Sequence, residues 1–342
     1  MSEITRSAPS VIKKLEELEF FSRAGVGQKL HYEFLKNYNS EETRKAYYSD
    51  LKHFFNFYKM AFTKTVRHPK EIKRVHIIAY KDFLIDCGGK DNSKASNLTV
   101  RRKMATLSSY FKFMMEKDIV IFNPLDGLKR PKKSPNKGTD CLSDQEVRLL
   151  LDFLDVEAIT INDFTTHLHR TMIYILFYTG IRVTELINLK RADFYLYNGM
   201  PALKIKGKGG TTRIIPVHND IKIILEDYLK ILRKVLRETK KEVLSADDYL
   251  FFSLKNNRNK ARRNISRYGV YKILNKRAFQ AGVKQKISPH SARATLITSL
   301  LNQGQDLYRV SLSVGHANAE TTKIYDKRNR SMRDNAILDI NY

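Results

Sequence analysis

Three separated segments of the sequence carry basic side chains that could hold a phosphate. Arg182 follows Gly180, where one helix is expected to end and the next to begin, so its fork lies beside free backbone N–H groups. His290 and Arg293 are three residues apart, on one face of a predicted helix. Lys208 lies at the tip of a glycine-flanked hairpin, from which a lysine can reach into a groove.

A fourth segment, residues 314–328, adds a candidate nucleophile. Tyr325 stands nine residues after His316, in polar surroundings that do not mark it as a core aromatic residue. A tyrosine hydroxyl has a pKa of about 10, so it attacks usefully only beside a base or a cationic cluster. Taken singly, each signal has an ordinary explanation: a solvated arginine, a solubilising turn lysine or a structural histidine. No metal site is expected, because arginine is not a ligand and no carboxylate or cysteine cluster is near.

The charge balance points to a polyanionic partner. The chain has 62 Lys and Arg residues against 36 Asp and Glu, a formal net charge of +26. Nucleic acid is the usual partner of such an excess, and charge alone does not separate DNA from RNA. The N-terminus lacks the apolar run of a signal peptide, and the most apolar stretch, 172–178, is too short to span a membrane. Two distant cysteines, Cys87 and Cys141, indicate a reducing, intracellular compartment.

The elements that must position these residues fall into two groups. Apolar spacing predicts helices from Ser40, from about 69 to 86 and over about 96–117, with a short helix possible at 11–21 that Gly25 and Gly27 would end. On the helix over 96–117, the side chains of the basic residues 101–103 are expected to project from faces of the helix other than the one that packs in the core. Residues 123–140 are rich in proline, glycine and basic residues and are typical of a linker.

A second group of elements follows the linker. Ser143 and Glu146 form a capping box at a helix start, and an apolar helix covers about 167–178. Alternating patterns at 202–206 and 213–217 predict a β-hairpin, and a helical pattern resumes over 221–235. The predicted fold class is therefore mainly α with a small β-sheet (α+β).

The order and spacing of the chemical residues resemble the tyrosine recombinase (phage integrase, Xer-like) family. The resemblance lies in TGIRVTEL with Arg182, the GKG hairpin with Lys208, HSAR with His290 and Arg293, VGH with His316, and Tyr325. An S-x-x-T-x-x-x-Y-x-x-D-L start from Ser40 and an NP…RP linker support it, so it covers roughly residues 30–330. Ala292, Ala294 and Val314 depart from residues common in the family, but none of them replaces a catalytic position.

The resemblance implies a SAM-like helical core-binding domain and a tyrosine-recombinase catalytic domain that clamp a DNA duplex. The expected boundaries are an N-terminal extension at 1–28, the core-binding domain at 29–125, a basic linker at 126–139, the catalytic domain at 140–330 and a tail at 331–342. The tail either packs on a neighbouring protomer or folds back on its own core. Residues expected to contact DNA are Arg101, Lys103, Lys132, Lys133, Arg262 and Arg263.

The implied reaction forms a 3′-phosphotyrosine at Tyr325 without a metal or other cofactor. Arg182 and Arg293 would hold the non-bridging oxygens, His290 would help to remove the tyrosine proton and Lys208 would protonate the leaving oxygen. His316 would bind the phosphate or position the nucleophile. The expected partners are double-stranded DNA with a specific recombination site and three further copies of the chain in a synaptic tetramer. The expected location is the cytoplasm, at the nucleoid, and no membrane partner is expected.

Several alternatives stay open at this point. A type IB topoisomerase has a similar site, a decayed integrase would bind DNA without chemistry, and an RNA-associated basic protein would leave the motif order unexplained. Within the family, the choice is between integration or excision of a phage or mobile element, which the C-terminal motifs favour, and Xer-type chromosome dimer resolution. The basic region 236–264 is predicted to be an extended loop, either touching DNA or merely solvated.

Overall fold

The computed structural model describes residues 26–62, 69–132, 140–207, 210–240, 243–254, 264–316 and 320–326. The chain divides into two compact units, Met1–Pro135 and Asn136–Tyr342. Helices dominate both units, and the three strands found in the described residues form one sheet in the second unit. The predicted fold class is confirmed. None of the helices in the described residues is both long enough and apolar enough to cross a bilayer.

The first unit is a bundle of helices around an aromatic core. Its described helices are α1 Val26–Lys36, α2 Glu41–Phe62, α3 Arg74–Asp86 and α4 Asn97–Glu116, with 3₁₀ turns at Pro69–Glu71 and Lys90–Asn92. The fully buried side chains Phe54, Tyr58, Tyr80 and Tyr110 lie at its centre. Ser96 caps α4 by accepting the Thr99 N–H at 3.2 Å, which confirms the predicted helix start.

Two details of the first unit differ from the prediction. Helix α1 was not expected, and Gly27, expected to end a helix, lies inside it. The segment expected to form one helix over 69–86 instead begins as a 3₁₀ turn and restarts at Arg74. Residues 11–21, where another helix was predicted, lie outside the described residues.

The second unit packs its other helices around one almost wholly buried helix. Its helices are α5 Asp144–Thr160, α6 Phe164–Thr179, α7 Val183–Asn188, α8 Asn219–Val235, α9 Arg267–Gln280, α10 Pro289–Asn302, α11 Leu307–Val314 and α12 Glu320–Lys323. The apolar run in α6 is almost wholly buried, including Ile173, Ile175 and Leu176. Because α6 passes through the core, its C-terminal end holds Gly180 and Arg182 in fixed positions.

The small sheet is antiparallel with the order β1-β2-β3, and its strands are Phe194–Tyr197, Met200–Lys206 and Thr212–Pro216. Leu203 on the central strand pairs with Phe194 on one side and Ile215 on the other. The predicted hairpin is confirmed as β2 and β3. Strand β1 was missed, although Asn198 and Gly199, with φ of +50° and +78°, form the two-residue turn that favours such a hairpin.

The predicted extended loop over 236–264 is wrong for part of its length. Residues 236–240 continue α8 as a π-helical turn, and Leu250, Phe251 and Phe252 are fully buried in the core. The Leu250 N–H donates to the Leu189 carbonyl at 2.7 Å, which ties this segment to the end of α7. The apolar triplet explains the difference, since its burial outweighs the basic residues on either side. Residues 255–263 lie outside the described residues.

Candidate active site

The first part of the candidate site is the junction between α6 and α7. Gly180 ends α6 in the left-handed conformation, with φ of +58°, and a Cβ there would lie 2.9 Å from a Leu296 methyl group. Glycine therefore permits both the turn and the close approach of α10. Arg182 is the N-cap residue of α7, and its backbone N–H donates to Glu185 Oε2 at 2.8 Å. The predicted placement of Arg182 at a helix start is confirmed.

Glu185 joins two arginines from different elements. Arg182 Nη1 donates to Glu185 Oε1 at 3.0 Å, and Arg213 on β3 donates to both carboxylate oxygens, at 2.9 and 2.8 Å. The Glu185 side chain is only 4% exposed. Burial raises the pKa of Glu185, but the hydrogen bonds and charges of Arg213 and Arg182 outweigh burial and leave the pKa below its ordinary value. Glu185 is therefore a buried, ionised carboxylate. Two positively charged arginines contact this single negative charge, so the group as a whole carries an excess of positive charge.

Arg293 brings a third guanidinium to the site. It is 2% exposed, and its Nη1 donates to the Gly180 carbonyl at 2.6 Å. Its Nη2 is buried and makes no hydrogen bond to the described residues. Burial, followed by the neighbouring charge of Arg182, lowers the pKa of Arg293 to about 10. An unsatisfied buried donor costs free energy, so this position is suited to an anionic ligand.

Tyr325 lies against this cationic group. The expectation that it is not a core aromatic residue is wrong, because its ring packs in a small apolar cluster. The residue is 6% exposed and packs with Ala294, Ile297 and Leu301 of α10 and Val310 and Val314 of α11. Its hydroxyl is 3.2 Å from His290 Nε2. Burial, then the charges of Arg293 and Arg182, lower the pKa of His290, so its imidazole is neutral near pH 7. A neutral imidazole at this distance can accept the tyrosine proton.

His316 is a second histidine beside Tyr325. Its ring is nearly parallel to the tyrosine ring, with centroids 6.5 Å apart and an interplanar angle of 16°. His316 Nδ1 lies 2.8 Å from Thr322 Oγ1, and the Tyr325 backbone N–H donates to the Thr322 carbonyl. Burial, followed by the charge of Arg293 and further cations, lowers the pKa of His316 to about 4. Thr322 thereby orients both the histidine and the candidate nucleophile.

Five of the six predicted site residues come together from distant parts of the second unit. Arg182 Nη2 donates to the carbonyl of Gly315, the residue before His316, which brings the first and last of these segments together. Lys208 lies outside the described residues. The two strands on either side of it are described, and between them the Gly207 N–H donates to the Thr211 carbonyl at 2.7 Å. The described residues include no group of three His, Cys, Asp or Glu side chains arranged to hold a metal.

Sequence reasoning missed Glu185 and Arg213. Glu185 stands three residues after Arg182, at the position where a capping-box partner is expected. Arg213 occupies the same face of β3 as the buried Ile215, an unusual phase for a charged residue in an alternating strand. Both signals were present in the sequence, but neither says which residues the two side chains would contact.

The predicted DNA contacts in the first unit have mixed placements. Arg101 Nη1 donates to the Pro131 carbonyl at 2.8 Å, and Asn97 Nδ2 donates to the Lys132 carbonyl at 3.2 Å, so residues 131–132 of the linker lie along α4. The expectation that Lys103 leaves the helix away from the core is wrong. Its side chain is 9% exposed, with Nζ 3.4 Å from Asp50 Oδ1, because the buried carboxylate attracts it. Lys133, Arg262 and Arg263 lie outside the described residues.

A large cavity lies away from the residues gathered around Tyr325. It has a volume of about 990 Å³ and is lined by residues near the start of α6 and along α8, including Arg170 and Arg233. Arg170 is ten residues before Gly180 on α6, a separation of about 15 Å along a helix.

Comparison with known proteins agrees with this geometry. The model of the phage integrase family matches residues 141–332. The chain belongs to this family. The tyrosine recombinase XerD of Listeria monocytogenes is 32% identical over 300 residues, covering 86% of this chain and 91% of the relative. The tyrosine recombinase XerC of Thermodesulfovibrio yellowstonii is 34% identical over 291 residues, covering 85% and 87%. The protein is therefore a tyrosine-type site-specific DNA recombinase.

Solved structures show the same fold. The XerH recombinase bound to its difH substrate, before cleavage, is 21% identical with a TM-score of 0.64, covering 93% of this recombinase and 82% of that chain. The Tn1549 transposon integrase in complex with circular intermediate DNA is 16% identical with a TM-score of 0.59, covering 92% and 98%. The resemblance read from the sequence is confirmed.

Proposed function

We propose that this recombinase cuts and rejoins DNA strands through a covalent link between Tyr325 and a 3′-phosphate. The observation that carries the proposal is that the Tyr325 hydroxyl lies 3.2 Å from His290 Nε2, close to Arg293, whose buried Nη2 makes no hydrogen bond to the described residues. A phenol needs both a base and cationic neighbours to attack phosphorus. The described residues supply both at one place.

In the proposed cleavage step, the Tyr325 oxygen bonds to the scissile phosphorus and the bond to the 5′-oxygen breaks. The tyrosine proton passes to His290, and the products are a 3′-phosphotyrosine and a free 5′-hydroxyl. Arg293 Nη2 and the half-exposed Arg182 stabilise the charge on the non-bridging oxygens. Arginine suits this task because its charge is permanent and its donors form a planar fork.

The charges of the site also tune the base. Arg293 and Arg182 are among the causes that lower the pKa of His290. A phosphate bound between them would offset their charge, so the pKa of His290 would rise as the substrate arrives. The imidazole would then become a stronger base in the complex than in the free protein.

Two roles rest on the family resemblance. Lys208, at the hairpin tip, protonates the leaving 5′-oxygen, and His316 hydrogen-bonds the phosphate or holds Tyr325 in place. Rejoining reverses the step: the 5′-hydroxyl of another strand attacks the phosphotyrosine and releases Tyr325. The covalent link conserves the energy of the phosphodiester, so the exchange requires neither nucleotide hydrolysis nor another cofactor.

The proposed substrate is duplex DNA with a specific recombination site, bound in a tetramer in which two protomers cut at a time. The excess of positive charge serves phosphate contacts, with Arg101 and Lys132 of the first unit and Lys133, Arg262 and Arg263 as candidates. The proposed domain boundaries are those given from the sequence, with a tail at 331–342 that packs on a neighbouring protomer. Such a protein would act in the cytoplasm, at the nucleoid.

The proposed biological role is integration or excision of a mobile element or phage. A second candidate is Xer-type resolution of chromosome dimers, which is favoured by the identity of 31–34% to XerD and XerC proteins. The position of the recombination site separates the two roles. A site flanking the recombinase gene supports the first role, and a single site far from that gene, near the replication terminus, supports the second.

The test is to trap the covalent intermediate on nicked genomic DNA of the source organism and to sequence the DNA in the adduct. Release of a short nicked fragment after cleavage removes the attacking hydroxyl, so the adduct accumulates. Wild-type protein should give an adduct that Tyr325→Phe abolishes. Tyr308→Phe is the matched control, because Tyr308 is 63% exposed on neighbouring α11. An adduct that persists in Tyr325→Phe, or tight binding by wild type without an adduct, would refute the proposed chemistry.

A further inference from the structure

Arg213 lies in the candidate site although it is not one of the six residues that would act on the DNA. It belongs to β3, the strand that follows the hairpin tip. Its two terminal nitrogens form a two-pronged contact with Glu185, at 2.9 Å to Oε1 and 2.8 Å to Oε2. The side chain is 21% exposed, against 46% for Arg182. Arg213 therefore faces the interior of the site, whereas Arg182 has an open side.

Glu185 also contacts Arg182, so it connects Arg213 to Arg182. Its Oε2 accepts the Arg182 backbone N–H at 2.8 Å, and its Oε1 accepts Arg182 Nη1 at 3.0 Å. Each carboxylate oxygen is thus shared between the two arginines. Because Arg213 of β3 holds both oxygens, it fixes the orientation of the Glu185 carboxylate. The carboxylate in turn fixes the orientation of Arg182, which donates to the same two oxygens.

A second contact connects Arg213 with the segment that carries Tyr325. Gly315 ends α11 in the left-handed conformation, with φ of +70°. A Cβ on Gly315 would lie 2.7 Å from Arg213 Nε and 2.8 Å from its Cζ. The guanidinium therefore packs directly on the backbone of Gly315. The Gly315 carbonyl accepts Arg182 Nη2 at 3.2 Å, and His316 is the next residue.

We propose that Arg213 is a positioning residue for strand cleavage. Through Glu185 it orients Arg182, and through Gly315 it sets the start of the segment that carries His316 and Tyr325. It thereby fixes the position of the phosphate-binding Arg182 relative to the nucleophile Tyr325, and it does so without contacting the DNA. A lysine could keep the charge but not the two-pronged contact or the flat surface against Gly315. The proposal rests on the function proposed above.

The experiment compares Arg213→Lys and Arg213→Ala with wild type in single-turnover formation of the covalent adduct, on a nicked duplex made from the sequence trapped above. Ile214→Ala is the matched control, since Ile214 is the next residue on β3 and is 42% exposed. DNA affinity and melting temperature are measured on the same proteins. Misplacing reacting groups by about 1 Å can slow a reaction about 100-fold. Arg213→Lys should therefore lose about 10- to 100-fold in cleavage rate, with unchanged DNA affinity and melting temperature.

A substrate with an uncharged phosphate distinguishes positioning from a merely structural role. A methylphosphonate at the scissile position removes the negative charge that Arg182 is proposed to stabilise. The rate defect of Arg213→Lys should then shrink, as should that of Arg182→Ala, because both act on that charge. An equal defect on both substrates, or parallel losses of cleavage, binding and melting temperature, would overturn the positioning role.

A double-variant cycle tests the contact with Gly315. Gly315→Ala should slow cleavage more in the wild-type background than beside Arg213→Ala, because alanine lacks the Cδ, Nε and Cζ atoms that the new methyl group would meet. Additive effects would refute this contact as a route of positioning. If wild type forms no adduct at all, the proposed function fails. If wild type forms it and Arg213→Lys matches its rate, only the role of Arg213 fails.

Discussion

Each unit of the recombinase contains a buried carboxylate held by a half-exposed arginine. In the first unit Arg102, 49% exposed, pairs with Asp50, 1% exposed. In the second unit Arg182, 46% exposed, pairs with Glu185, 4% exposed. By exposure and pairing alone the two sites look alike, and a second cation contacts each carboxylate: Lys103 for Asp50 and Arg213 for Glu185.

The surroundings of the two carboxylates differ. Asp50 also accepts the Thr106 hydroxyl at 3.0 Å, and its cations come from adjacent positions of one helix, α4. Glu185 is gripped from two elements, and a third arginine, Arg293, stands near it with a buried donor that makes no hydrogen bond to the described residues. Donors left over after internal pairing, rather than charge itself, therefore distinguish a ligand site from a structural ion pair.

The largest effect should come from removing the unfilled donor. Arg293→Lys keeps a positive charge but loses the fork, so one nitrogen can no longer serve both Gly180 and the phosphate. Loss of one donor to a developing charge costs about 100- to 1000-fold in rate, and we expect a loss of that size in single-turnover adduct formation. Near-normal cleavage by this variant would mean that the spare donor has no catalytic use.

The matching change in the first unit should act on stability instead. Asp50→Ala leaves Lys103 buried without its carboxylate, and breaking a buried pair in this way costs about 3–5 kcal/mol. We expect urea unfolding to show a loss of about 3 kcal/mol. The variant's folded fraction should cleave a pre-bound nicked duplex at the wild-type rate. A stable Asp50→Ala protein with slow cleavage would reverse the distinction between the two sites.

A smaller effect concerns two histidines that share a low pKa for different reasons. Burial lowers the pKa of His31 in the first unit to about 4, whereas burial and the charges of Arg293 and Arg182 do so for His316. The ordinary value is 6.5, so the unfolded chain binds more protons between about pH 6.5 and pH 4. Stability should therefore fall as the pH is lowered through that range.

DNA binding should change the pKa of one of these two histidines and not that of the other. Bound phosphate offsets the arginines around His316, so its pKa should rise, whereas the pKa of His31 should stay unchanged. NMR titration of the imidazole signals, with and without DNA, measures both values in one sample. Equal responses of the two histidines would contradict a phosphate site beside His316.

The smallest expected loss of stability comes from removing the two half-exposed arginines. Arg102→Ala removes a half-exposed partner while Asp50 keeps Lys103 and Thr106, so the free energy of unfolding should fall by at most about 1 kcal/mol. Arg182→Ala should cost similarly little stability yet slow cleavage strongly. Urea unfolding and adduct kinetics on both variants provide the check, and equal cleavage rates would remove the functional difference between the two arginines.

Local patterns predicted the elements well, while contacts between distant residues were harder to foresee. The capping box of Ser143 and the hairpin strands over 202–206 and 213–217 follow from residue types a few positions apart. The spacing of Arg182, His290, Arg293, His316 and Tyr325 indicated one site. The burial of Lys103 depends on Asp50, more than fifty residues away. The role of Glu185 likewise depends on Arg213, which local periodicity does not connect to it.

The most direct test of the central claim is to map the amino acid joined to DNA in the trapped adduct. Trypsin releases the peptide 324–327, and mass spectrometry after nuclease digestion locates the nucleotide on it. We expect a nucleotide joined through its 3′-phosphate to Tyr325. A link to another residue, such as the exposed Tyr308, or a link through a 5′-phosphate would contradict it.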